Sequence, residues 1–210
     1  MVTHCIQFFS KWWHRQQMAN RQFIDCDFVV VDLELTGLDA KQHEVVSAAW
    51  LPITKQCIQL NDAVHIVNKD VKSLAQSPVF HGLCHNDVEQ GIDLKRFTEQ
   101  LAHAIEGKLV VFHHSYLDMA FIRELFRESG IRARPALILD TLSIERRRLL
   151  SQGHEIALDD LTLEQCRTRY GLPLYSSHHA LTDALATAEL LLAQSHQIGN
   201  LKSLKLGQLL

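Results

Sequence analysis

The sequence predicts an α/β protein built around a central sheet, and three observations carry that expectation. Val29–Leu35 reads as a strand that is apolar on both faces, as suits a strand covered by helices on either side. Short hydrophobic segments bounded by turn residues follow it, the pattern of an antiparallel meander. Beyond residue 90, segments with apolar residues at helical spacing alternate with short Val/Ile/Leu runs.

The composition bounds what such a fold can do. A chain of 210 residues, 47% hydrophobic, suits one domain with short extensions. We place a helical lead-in at 1–25, the main domain at 26–197 and a tail at 198–210. The net charge is −3 and the sequence pI about 6.5, so no broad basic surface is expected. A polyanion would have to meet a local basic patch or metal ions. The five cysteines are scattered without a CxxC pair, which disfavours both structural zinc and a disulfide framework. No apolar run reaches transmembrane length. Lys11, His14 and Arg15 interrupt the N-terminal apolar residues, unlike a signal peptide. Reduced thiols in a cytoplasm, away from any membrane, are the expectation.

The elements follow in order. In the lead-in, Phe8, Phe9, Trp12 and Trp13 form an apolar stripe, expected to dock on the domain rather than on a partner or membrane surface. After the first strand, Gly37 opens a turn. Val45–Leu51 is a second strand, with further strands near Gln56–Leu60 and Ala63–Val67. Lys69–Asn86, with Pro78 and Gly82, is loop-like. A helix over about Asp93–Ile105 places Leu94, Phe97, Leu101 and Ile105 at helical spacing. Leu109–Phe112 is a short buried strand, His113–Tyr116 its turn, and a helix begins near Leu117. Leu137–Leu139 is another strand. Asp140–Thr141 caps the next helix, and Arg146, Arg147 and Arg148 sit near its end, where cations suit the helix dipole. Asp159–Arg169 suggests a helix closed by Gly171 and Pro173, and Ala180–Ala193 a helix apolar almost all round, hence buried.

Four acids stand out against this frame. Asp32 and Glu34 share one face of the first strand with Phe28 and Val30. Two acids on a covered face are costly unless something positive neutralises them, and a hard divalent cation takes oxygen ligands. The alternative is a solvated pair at an exposed strand end. Asp118, in a first helical turn, shares the face of Phe121, Ile122 and Leu125. The helix dipole explains its position but not its face. Asp183 opens the buried last helix, just after His178 and His179. If these ends converge, four carboxylates repel one another and bind metal readily. Two Mg²⁺ or Mn²⁺ ions about 4 Å apart would then clamp the attacking and leaving oxygens of phosphoryl chemistry. Water needs a base there, and a histidine with an unperturbed pKa of ~6.5 suits. His178 is the candidate; the alternative is an ordinary loop or capping histidine among the 13 in the chain.

Asp32-x-Glu34-x-Thr36-Gly37 resembles the first motif of the DEDDh 3′–5′ exonucleases. His113-His114-Ser115-Tyr116-Leu117-Asp118 resembles their second, and His178-His179-Ala180-Leu181-Thr182-Asp183-Ala184 their third. Three motifs in order, each in its strand or helix context, are far more specific than one. The chain is similar from about Phe28 to Ala193 to the proofreading (epsilon) subunit of bacterial replicative DNA polymerase and its stand-alone relatives.

That resemblance implies a ribonuclease H-like fold with a mixed sheet flanked by helices, the exonuclease domain being residues 26–197. It implies a metal-dependent release of nucleoside 5′-monophosphates from the 3′ end of DNA, with RNA as an alternative substrate. Asp32, Glu34 and Asp183 would hold one Mg²⁺ or Mn²⁺ ion. Asp32 would bridge to a second, on which Asp118 acts directly or through water. His178 would be the general base. Thr36 and Leu38 match positions that cradle the terminal nucleotide, and His81 resembles a substrate-contacting histidine. His114 takes a substrate-binding position of the second motif where Asn is usual. Leu35 replaces a usual Thr, Leu117 a usual Phe, and Ser47 a common Glu on the second strand. These departures touch substrate grip more than catalysis. The implied partners are single-stranded or frayed 3′ ends and a polymerase or other replication-repair protein. A second reading is a catalytically weak module that binds 3′ ends or a polymerase, motivated by the altered second motif and the low basicity. A zinc hydrolase built on His113-His114 and His178-His179 is disfavoured, because adjacent histidines diverge.

Overall fold

The computed structural model describes residues 16–72, 85–176 and 178–210. The aromatic stripe at Phe8–Trp13, His81, and the loop residues Pro78 and Gly82 lie outside the described residues. Among the described residues, six strands form one mixed sheet: β1 (Phe28–Leu35), β2 (Val45–Thr54), β3 (Cys57–Ile58), β4 (Val64–Val67), β5 (Leu109–Phe112) and β6 (Leu137–Asp140). Their order is β3-β2-β1-β5-β6, with β4 also paired to β2. β1 runs antiparallel to β2 and parallel to β5, and β5 runs parallel to β6. The helices are α1 (His85–Glu89), α2 (Leu94–Ile105), α3 (Ser115–Ser129), α4 (Thr141–Ser151), α5 (Leu163–Arg169) and α6 (Ala180–Ile198).

The alternation along β1 sorts its side chains into two cores. Phe28 and Val30 pack with Ala49 and Leu51 of β2 against Ala180, Ala184, Ala188 and Leu191 of α6. The small alanines let α6 lie close to the sheet. On the other face, Val31 and Leu33 meet Phe97 and Leu101 of α2 and Phe121 and Phe126 of α3. Among the described residues no helix is long and apolar enough to cross a membrane.

Several boundaries differ from those expected, each for a local reason. β2 continues through Pro52, whose carbonyl accepts the Gln59 N–H at 2.9 Å. The reversal falls instead at Lys55 and Gln56, both at positive φ, as tight hairpin turns require. β4 returns to β2 rather than to β3, so the strands are not a simple meander. The helix expected over 159–169 divides into a 3-10 turn, Leu158–Leu161, and α5. Thr162 adopts an extended conformation between them and caps α5 by accepting the Gln165 N–H. The segment read as a tail is packed: Leu204, Leu206 and Leu209 are buried. It is held by bonds from the Phe23 N–H to the Leu204 carbonyl (2.8 Å) and from the Leu206 N–H to the Arg21 carbonyl (3.0 Å).

Candidate active site

The ladder between β1 and β5 ends at Val30 and Val111, yet β1 runs on to Leu35. Its last residues therefore project beyond β5, at the carboxyl ends of the parallel strands, where open α/β sheets place ligands. Both α3 and α6 begin there. One carboxylate oxygen each from Asp32, Glu34 and Asp183 lies within 4.8 Å of the others. Asp118, in the first turn of α3, is 6% exposed and lines the same cavity of about 440 Å³, as do His114 and His178.

The acids are held against their preference. Burial, then the charges of Asp118, Glu34 and Asp183, push the Asp32 carboxyl well above the usual carboxylate range. Burial also raises Asp118 strongly, with Asp140 and Glu34 adding and nearby backbone N–H groups opposing. Asp183 is raised mainly by burial, opposed by the backbone N–H of His178. Crowded carboxylates of this kind are what an oxygen-seeking divalent cation relieves. The donor set thus fits a metal ion, with Asp32, Glu34 and Asp183 as the inner group and Asp118 close by.

The turn between β5 and α3 is firmly anchored. His114 sits at φ 76°, in the left-handed region, and α3 has no capping side chain of its own. Asp140 supplies one from β6. Its Oδ1 accepts the N–H groups of His114 (2.9 Å) and Leu142 (3.1 Å), and its Oδ2 accepts the hydroxyls of Ser115 (3.1 Å) and Ser143 (3.0 Å). One carboxylate thereby caps α4, as expected, and also fixes the start of α3. His113 bridges the Thr141 hydroxyl (2.8 Å) and the Leu161 carbonyl (3.0 Å), and burial lowers its pKa to about 4. The lead-in to α6 is tied to that helix. His178 is exposed at φ 70°, and its N–H donates to Asp183 Oδ2 at 2.8 Å. The His179 ring leans on His65 of β4, centroids 4.9 Å apart.

The Exonuclease family model (RNase_T) matches residues 29–191. The chain belongs to this exonuclease family. Its relatives include the PolC-type DNA polymerase III of Thermotoga maritima, 26% identical over 173 residues, 81% of this chain and 12% of the polymerase. The 3′-5′ exonuclease DinG of Staphylococcus aureus is 23% identical over 169 residues, 79% of this chain and 18% of DinG. The chain thus spans less than a fifth of the curated relatives it matches. Among solved structures it resembles cell-death related nuclease 4 (TM-score 0.69, 19% identity, 84% of this chain and 65% of that one). It also resembles E. coli exonuclease I in complex with a dT13 oligonucleotide (TM-score 0.67, 14% identity, 81% and 41%). The ribonuclease H-like exonuclease fold expected from the motifs is the fold observed.

Within this exonuclease domain, part of the cavity lining comes from residues to which sequence reasoning gave no role. Arg167 is buried and binds the carbonyls of Ala186 (2.6 Å) and Pro173 (2.7 Å) and the Glu189 carboxylate (2.8 Å). It also stacks over Tyr175, whose hydroxyl donates to Glu189 at 2.9 Å. Leu174 and Tyr175 reach the cavity while remaining 62% and 39% exposed. The apolar run Leu172–Tyr175, in a loop just before the third motif, was the available signal. Thr36 and Leu38 lie on the turn after β1, outside the residues lining the cavity. Thr36 closes that turn with two bonds to the Glu44 backbone, while Leu38 is 80% exposed. At Gly37 a Cβ would sit 2.5 Å from the His43 ring, which packs over the turn. Ser47 is buried opposite Glu34 across β1 and β2.

Proposed function

We propose that the chain is a divalent-metal-dependent 3′–5′ exonuclease that releases nucleoside 5′-monophosphates from single-stranded or frayed 3′ ends. DNA is the proposed substrate and RNA the alternative. The observation carrying this reading is the gathering of Asp32, Glu34 and Asp183 oxygens within 4.8 Å, in a cavity that Asp118 and His178 also line. Two Mg²⁺ or Mn²⁺ ions bound there would polarise the scissile phosphate and stabilise charge on the attacking and leaving oxygens. Asp32, Glu34 and Asp183 would hold one ion, with Asp32 and Asp118 serving the other. His178 takes a proton from the attacking water. The water oxygen bonds to phosphorus, the P–O3′ bond breaks, and the new 3′-oxygen takes a proton from solvent. The terminal nucleoside leaves with its 5′-phosphate. Thr36, Leu38, His81 and His114 are the proposed contacts to the terminal nucleotide. Leu38, exposed on its turn, offers an apolar surface to a base. A polymerase partner is proposed from the PolC-type relatives.

A 5′-labelled single strand incubated with Mg²⁺ or Mn²⁺ tests the reading. It should shorten stepwise from its 3′ end with release of 5′-mononucleotides. Asp118→Ala should lower the rate at least about 10²-fold, as loss of a transition-state charge stabiliser does. No shortening with either metal, or full rate in Asp118→Ala, refutes the proposal. Matched DNA and RNA strands then decide substrate preference through the 2′-OH.

A further inference from the structure

We propose that the outer face of α3 is a track for the single strand that trails from the 3′ end held in the cavity. This inference rests on the exonuclease reading above. Tyr116, Arg123 and Arg127 fall on one stripe of α3, because steps of seven and four residues return to the same face. Tyr116 is 80% exposed and lies in the chain between the cavity residues His114 and Leu117, at the end of the helix where Asp118 turns inward. Beyond α3, Arg132 and Arg134 join Arg123 and Arg127 around a groove of about 590 Å³ floored by Ile122, Phe126 and Ile138. Arg123, Arg132 and Arg134 are exposed and form no ion pair with another described residue, whereas Arg127 binds Glu124 and Glu128.

In a chain of net charge −3, four guanidinium groups line this one groove, against the carboxylates of Glu124 and Glu128 that Arg127 binds and Glu106, which accepts the Arg134 N–H; the exposed Tyr116 ring stands on the same helix stripe, toward the cavity end. Such a surface suits single-stranded nucleic acid: phosphates meet arginines, and bases stack on the ring or rest on the apolar floor. Arg127 is nine residues from Asp118, about 14 Å along the helix axis, or about four stacked nucleotides. A substrate of three nucleotides would therefore miss most of the track, and one of fifteen would fill it.

Fluorescence anisotropy of oligothymidylates of these two lengths, in EDTA, tests the inference without turnover. The wild type should bind the 15-mer at least about 10-fold tighter than the 3-mer, and Arg123→Glu/Arg132→Glu should abolish that difference while leaving 3-mer affinity unchanged. With two phosphates no longer neutralised, the slope of log K against log salt should fall by about 1.4. If the double variant fails to fold, Arg132→Ala alone, in a surface segment, should weaken 15-mer binding about 3-fold. Equal wild-type affinity for both lengths overturns the proposal. Unchanged 15-mer binding in folded variants also overturns it, even if the groove proves to bind an acidic peptide. The minimal ester thymidine 5′-p-nitrophenyl phosphate should be hydrolysed equally by wild type and variants. Failure of the wild type to cleave either ester or 15-mer with Mg²⁺ or Mn²⁺, alongside intact length-dependent binding, refutes the nuclease reading and leaves the track supported.

Discussion

The molecule carries two His-His pairs beside the cavity, and they differ in backbone, burial and hydrogen bonding. In each pair one residue sits in the left-handed region, His114 at φ 76° and His178 at φ 70°. The first pair is locked: His113 is hydrogen-bonded on both ring nitrogens, and Asp140 grips His114 and Ser115. In the second, His178 presents an exposed imidazole to the cavity, on a backbone that its N–H ties to Asp183. The half-buried His113 ring, held by two partners, organises a turn, whereas the exposed His178 lines the cavity with the carboxylates and is the proposed proton acceptor. Identical dipeptides thus differ in burial and hydrogen bonding, the difference on which the proposed role of His178 rests.

The contrast can be broken from either side. The largest effect is expected at the second pair: if His178 is the general base proposed above, His178→Ala should lower kcat about 10²–10⁴-fold, with Tm changed by no more than about 1 °C. Steady-state kinetics beside a thermal melt would check both halves. His113→Ala should do the reverse, costing about 2–3 kcal/mol of stability and about 5–10 °C in Tm through lost packing and hydrogen bonds. Asp140→Ala should cost about 2 kcal/mol and also raise the Mn²⁺ concentration giving half-maximal rate, because Asp118 loses its anchored helix start. An unchanged metal titration would leave Asp140 a structural cap alone.

Titration separates the two regions further. The folded pKa of His113, about 4, lies below its unfolded value, so the unfolded chain binds more protons between about pH 4 and 6.5. Its contribution is fully present above that window and is lost as pH falls through it; His113→Asn should flatten this slope. Asp32, Asp118 and Asp183 have raised folded pKa values and act oppositely. In chelator, their contribution is lost as pH rises through those raised values. Asp118→Asn should then raise the metal-free Tm at neutral pH by about 2–4 °C, the worth of ~1 kcal/mol in a chain of this size. Smallest of all, His114→Gly should add about 0.5–1 kcal/mol by relieving its left-handed backbone, read as a rise in Tm.

Much of this architecture was legible in the sequence because it is written in short-range periodicity. The alternation Val29–Leu35 gives both cores and the facing of Asp32 and Glu34, and the positions of Phe121, Ile122 and Leu125 turn Asp118 inward. What stayed hidden depends on partners far along the chain. Asp140 reads as a helix cap, but its bonds to His114 and Ser115 cross 26 and 25 residues. Arg167 shapes the cavity wall through Ala186 and Glu189, 19 and 22 residues away. Leu204 and Leu206 are two residues apart and Leu206 and Leu209 three, so no single period marks the segment and its burial against the start of the domain is not announced locally. The break at Thr162 is a cap inside an otherwise helical stretch, a boundary that pattern alone does not fix.

Asp140 also makes two helices answerable to one side chain. Because the same pair of oxygens serves four donors, Ser115→Ala and Ser143→Ala should not act independently. Each vacated position lets the carboxylate swing toward the remaining hydroxyl, so the double variant should depart from the sum of the singles by about 0.5 kcal/mol or more. Thermodynamic coupling across the outer edge of the sheet would then be measurable at a joint that carries none of the reaction's own atoms.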